Sequence, residues 1–217
     1  MALTVTPIVV REGALAGDAA PLISTFSGRG LLDQVQFHAL GESMAADPEE
    51  RIEAALVALA RALANESRSA LTSALPRALQ SCHRELVKGN EPLTMAARVG
   101  VGLTCLALRD DEVYVASGGP GLVYVRDRHG VRRLPGPPEG AGSLGTAEGD
   151  VDIAMDRHPI GRGEALLAGG SALEAAVGHE GLQAILASAP REAAKKLALL
   201  MGDQPLYVAL LVTPEGG

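Results

Sequence analysis

Residues 3–11 (LTVTPIVVR) are apolar and rich in Thr, Val and Ile, which suits a pleated, half-buried strand. A loop is expected over 13–21, followed by strands over 22–26 and 34–40. The period then changes. Asp47-Pro48-Glu49-Glu50 is a helix start: Asp can accept hydrogen bonds from open first-turn amides, Pro fits the first helical position, and the glutamates meet the positive dipole end. Ile52, Leu56, Leu59 and Leu63 then fall on one face. A second stripe, Leu71, Leu75, Leu79, Cys82 and Leu86, predicts a further helix closing at Gly89-Asn90. Pro76 is expected to kink that helix or to begin a new one.

From Arg98 the period becomes two. Strands over 99–108, 112–117, 122–126 and 131–134 are separated by turns at Asp110-Asp111, residues 118–121 and His129-Gly130. They read as an antiparallel meander. Residues 135–149 are rich in Gly and Pro and predict an exposed loop. Strands over 151–155 and 165–168 follow, then helices over 171–177, 180–187 and 191–201, closed by Gly202. A strand over 206–213 ends the pattern. Grouped strands with two helices between them and more near the end predict an α+β fold. The expected architecture is a four-layer αββα sandwich, two antiparallel β-sheets flanked by helix pairs, in a single domain over residues 1–217.

Composition narrows this. A chain of 217 residues can bury one good-sized core, and with 2% aromatics and no Trp that core must be Ala, Leu and Val. A net charge of -7 argues against nucleic acid as a partner. The basic run Arg126, Arg128, His129, Arg132 and Arg133 is interrupted by Asp127 and reads as a solvated hairpin. Cys82 and Cys105 sit among apolar neighbours and read as buried thiols. The start lacks the basic and long apolar regions of a secretory leader, and the apolar stretch 52–64 is broken by Glu53 and Arg61. The expectation is a cytoplasmic protein with no membrane contact.

Four stretches resemble a known family in order and spacing: QFHALGESM (36–44), VGVGLTCLALRDDEVYVASGGPGLVYVRDRHGVRRL (99–134), GEALLAGGSALEAAVGHEGLQAIL (163–186) and PREAAKKLALLMGDQPLYVALLVT (190–213). They are similar to segments of the metal-dependent PPM-type (type 2C) protein serine/threonine phosphatases. The resemblance implies two antiparallel sheets between helix pairs. It also implies two Mg²⁺ or Mn²⁺ ions held by aspartates, activating a bridging water for attack on phosphorus. This chain departs at those aspartates. Gly41-Glu42 stands where the first Asp-Gly is expected, and Pro120, after Gly119, where Gly-Asp-Ser has its Asp. Gly170, before Ser171, replaces the Asp of Ser-Asp-Gly, while Asp203 lies near the final Asp-Asn. The early Arg and the Asn-Glu-Asp of the family have no counterpart.

The resemblance therefore implies the fold and argues against the activity: a degenerate member, a pseudophosphatase serving as a binding or regulatory module in bacterial-type phosphoprotein signalling. No catalytic residue, metal or other cofactor is expected, and the partner would be a protein. Two alternatives stand beside it. One is a weakly active phosphatase with Mg²⁺ or Mn²⁺ on Glu42 and Asp203. The other is an N-terminal-nucleophile-hydrolase-like sandwich with Thr4 as the nearest nucleophile candidate. The simpler reading makes Glu42 and Asp203 ordinary exposed carboxylates at turns. Residues 118–121 read as a tight hairpin turn rather than a phosphate loop, since no Lys-Ser/Thr or helix follows. Ser43 and Ser171 lie in no nucleophile elbow. The histidines at 38, 83, 129, 158 and 179 have no ligand spacing.

Overall fold

The computed structural model describes residues 2–17, 22–43, 48–94, 98, 100–137, 142–146, 149–202 and 204–215. The strands are β1 (Leu3–Arg11), β2 (Ala14–Leu15), β3 (Ile23–Ser27), β4 (Gln36–Ser43), β5 (Val101–Arg109), β6 (Glu112–Gly118), β7 (Leu122–Asp127), β8 (Gly130–Arg133), β9 (Ile153–Pro159), β10 (Ala165–Gly169) and β11 (Tyr207–Pro214). The helices are α1 (Pro48–Asn65), α2 (Leu71–Asn90), α3 (Leu173–Leu186) and α4 (Pro190–Met201). One sheet runs β2-β1-β11-β10-β7-β8 and the other β3-β4-β5-β6-β9, every pairing antiparallel. Helices α1 and α2 cover the β3-to-β9 sheet, while α3 and α4 cover the other. The expected αββα sandwich is present.

Period-two alternation places the two faces of the β11 sheet. Val208, Leu210 and Val212 point into the core between the sheets, and Tyr207, Ala209 and Leu211 point toward α3 and α4. β10 repeats this, with Leu166 and Ala168 inward and Ala165 and Leu167 outward. On α1 the predicted face, Ile52, Leu56, Leu59 and Leu63, is buried. At roughly 1.5–3 kcal/mol per fully buried large aliphatic side chain, these faces dominate the folding free energy. No helix among the described residues is long and apolar enough to cross a membrane.

Several expectations are corrected. β4 runs on to Ser43 rather than stopping at residue 40, because Gly41, Glu42 and Ser43 pair with Leu103, Gly102 and Val101. β9 covers Ile153–Pro159, later than expected, paired to β6 along its length. α2 continues through Pro76, which removes the bond to the Thr72 carbonyl; burial of Ala74, Leu75, Ala78 and Leu79 carries the helix across. The meander is broken at residues 118–121: β6 and β7 lie in different sheets, so this segment is a crossing and not a hairpin turn. Gly119 (φ 76°) and Gly121 (φ 155°) adopt the backbone this exit needs. α3 is split by Gly178 (φ 65°, ψ 174°), which agrees with two short helical patterns. The Asp47 cap falls outside the described residues.

In the loop expected to be exposed, Pro135, Gly142, Thr146 and Gly149 are exposed, but Leu144 and Gly145 are buried, and α2 holds Gly145 and Gly149. Leu144 is fully buried and bridges Val101. The Gly145 N–H donates to His83 Nδ1 at 3.1 Å, so Nε2 carries the proton and donates to the Gly149 carbonyl at 2.9 Å. The Asn90 amide donates to the Gly145 carbonyl at 2.9 Å. Gln80 donates to the Val151 carbonyl at 2.5 Å and accepts from its N–H at 3.2 Å.

Candidate functional site

Of the positions singled out in the sequence, Gly41, Glu42, Gly170 and Ser171 line one cleft, and Gly119 and Pro120 adjoin it through Gly102. Gly41 is the first element. A Cβ there would lie 2.5 Å from Cγ2 of Ile52, so a residue without a side chain lets α1 rest on β4. Glu42 follows, opposite Gly102 of β5. Gly102 is itself pressed by the Pro120 carbonyl, well inside the contact distance of any added Cβ, and Cα atoms of Gly102 and Ser143 stand 3.2 Å from a Cβ built on Gly119. The β6–β7 crossing with Gly119 and Pro120 is thereby held beside the end of β4. From the other sheet, β10 delivers Gly170 and Ser171 at the entrance to α3.

Glu42 joins the two sheets. Its Oε2 accepts from the Ser171 N–H at 2.8 Å and its Oε1 from the Ser171 hydroxyl at 2.6 Å. A Cβ on Gly170 would sit 3.3 Å from the Glu42 carboxyl carbon and from Oε2. The Gly170 carbonyl accepts from the Leu173 N–H at 3.1 Å and the Tyr207 hydroxyl at 3.4 Å. Burial, and then the Glu42 charge, push the Tyr207 phenol well above its usual range, so it stays protonated. Glu42 is thus no idle exposed carboxylate, as the sequence suggested. It is partly buried and anchors the start of α3, where a negative charge also meets the positive helix end.

A cleft of about 390 Å³ opens here, walled by Leu22, Ile52, Pro205, Leu206 and Val208, with Glu42 as its single charged lining residue among those described. Asp203 lies outside the described residues. Of the other candidates, the Ser43 hydroxyl donates to the Gly100 carbonyl at 3.4 Å. Thr4 sits within β1, opposite Thr213. Burial pushes the Cys82 and Cys105 thiols up to about 12, so neither is a thiolate near neutrality. No group of three or more His, Cys, Asp or Glu suited to a metal ion occurs among the described residues. Sequence reasoning missed Gly102 and Tyr207. A glycine inside a strand pattern signals close backbone approach and could have found the former; Tyr207 carries no such signal.

No family model and no curated protein matches the chain by sequence. Solved structures do. The serine/threonine phosphatase of S. agalactiae superposes with a TM-score of 0.76 at 12% identity, covering 99% of this chain and 100% of that one. Stp1 from Staphylococcus aureus gives 0.73 at 13% identity, with 100% and 96% covered. The catalytic domain of PstP in complex with two manganese ions gives 0.68 at 16% identity, with 97% of each chain covered.

A pair of divalent ions needs several anionic oxygen ligands. The three described turns offer one carboxylate, Glu42, both of whose oxygens already serve Ser171. Gly170 packs against that carboxyl, where an added acid would meet a like charge at contact distance. Among the described residues the donor set does not fit two such ions. What the chain shares with these relatives is the layered frame: it has the αββα fold of the PPM-type serine/threonine phosphatases.

Proposed function

We propose that this protein is a catalytically inactive pseudophosphatase, one PPM-like domain over residues 1–217 that works by binding a protein partner. The observation that supports this best is the Glu42–Ser171 clamp. It occupies the place where the phosphatase resemblance calls for metal-binding aspartates, with Gly170 and Pro120 at two of those positions. In this reading the domain needs no metal or other cofactor, acts in the cytoplasm, and belongs to bacterial-type phosphoprotein signalling. The bacterial origin of the similar phosphatases supports the last point; one of them, PppA of Pseudomonas aeruginosa, is described as a regulatory component of T6SS.

Hydrolysis of p-nitrophenyl phosphate and of a phosphothreonine peptide, each with excess Mn²⁺, tests this. The expected result is no turnover above a protein-free blank. Turnover that disappears in Glu42→Gln would overturn the proposal.

A further inference from the structure

We infer that the cleft beside Glu42 receives a lysine side chain from a protein partner, with the stem along the apolar walls and the ammonium on the carboxylate. The partner being a protein rests on the binding-module reading; the preference for a cation does not.

Among the described residues Glu42 is the one charged group lining the cleft, no Lys, Arg or His lines it, and Glu42 makes no ion pair. A carboxylate offers about four lone-pair sites. Ser171 takes one on each oxygen. The remaining capacity faces the open cleft, where a cation can reach the carboxylate and is favoured by its charge. An arriving phosphate or carboxylate would meet Glu42 with no cation beside it among the described residues, so an anion is disfavoured.

Shape and donor geometry then choose among cations. Leu22 and Ile52, almost fully buried side chains, and Pro205, Leu206 and Val208 supply the apolar lining. These surfaces suit an unbranched aliphatic stem that ends in a charge, the arrangement in which long basic side chains bury methylenes and keep their heads polar. The volume of about 390 Å³ exceeds a single side chain, so entry needs no rearrangement of the walls. A guanidinium binds best as a fork across both carboxylate oxygens, and Ser171 already holds that bidentate position. An ammonium is a point donor and needs one open lone pair.

The test is an amide-shift titration of the full chain with Nα-acetyl-lysine-N-methylamide, its norleucine analogue and its glutamate analogue. The lysine compound should move the Glu42, Ser171 and Leu206 amides saturably, with a half-point at least about fivefold below that of norleucine. The glutamate compound should leave them still. Added salt should weaken the lysine compound and spare norleucine. Glu42→Gln should erase the lysine advantage, so that the lysine and norleucine half-points converge. Equal response to the glutamate compound, a lysine preference that survives Glu42→Gln, or no response at these amides would each overturn the inference. If Glu42→Gln fails to fold, the salt comparison on the unaltered chain decides. Because hydrolysis is read in a separate assay, loss of the lysine preference and loss of the pseudophosphatase reading are distinct results.

Discussion

Among the polar ties that join distant parts of this chain, two are built in opposite ways. At the α2 face, His83, Asn90 and Gln80 hold Gly145, Gly149 and Val151 by neutral hydrogen bonds, and His83 is fully buried. At the cleft, a single carboxylate holds Ser171 across 129 positions of sequence, partly open to water and with no countercharge among the described residues. The first tie satisfies every group it touches and leaves nothing for a partner. The second satisfies the backbone of α3 but leaves a net charge facing an open cleft. The buried tie is closed on itself, while the exposed one leaves a charge that a ligand can reach.

The sharpest break in that comparison is His83→Ala. It strands the Gly145 N–H and the Gly149 carbonyl and leaves a void under a closed surface, and should cost about 3 kcal/mol in urea unfolding. A loss below about 1 kcal/mol would mean that the ring does not hold the loop. The clamp should yield less. Glu42→Gln and Ser171→Ala should each cost about 1 kcal/mol, because water can replace the lost partner at a partly exposed site. In the double variant the costs should not add, with a coupling of about 0.5–1 kcal/mol. Simple additivity would mean that the two residues act independently.

Sequence legibility follows the same division. Elements set by periodicity were readable: the α1 face, the β11 alternation and the two-part α3 all rest on local apolar spacing. What was not readable depends on which sheet a strand joins. Residues 118–121 look like a hairpin turn because Gly-Gly-Pro-Gly serves a tight turn and a sheet crossing equally well. The loop 135–149 reads as exposed because its Gly and Pro content reports backbone freedom and says nothing of Leu144 or of the helix that grips it. At the site, the positions came from matched segments, and the structure brings Gly41, Glu42, Gly170 and Ser171 together, with Gly119 and Pro120 adjoining through Gly102. The clamp itself was invisible, since a carboxylate and a serine 129 positions apart carry no local signature.

The smallest expected effect concerns pH and a third polar residue. His38 of β4 bonds the Thr25 hydroxyl through Nδ1 at 3.0 Å, and its Nε2 is buried with no partner among the described residues. Burial lowers its pKa from the usual 6.5, and burial followed by the Arg132 charge lowers that of His158 in the same direction. In the window between the folded value and 6.5 the unfolded chain therefore binds more protons, and unfolding free energy rises with pH. The contribution is complete above that window, is lost as pH falls through it, and changes no further once both states are protonated. The lowered carboxylates Glu49, Glu112, Asp127 and Glu192 act with the same sign, but only near and below their ordinary values of 4.5 and 3.8. Urea midpoints taken between about pH 5.5 and 7.5 thus isolate the histidines. His38→Gln should flatten part of that rise, and the further change of His158 to Gln should flatten more. A wild-type midpoint that is level across the interval, or a slope that His38→Gln leaves intact, would mean that water reaches Nε2 and that β4 is less tightly closed beside the cleft than its pairing with β5 implies.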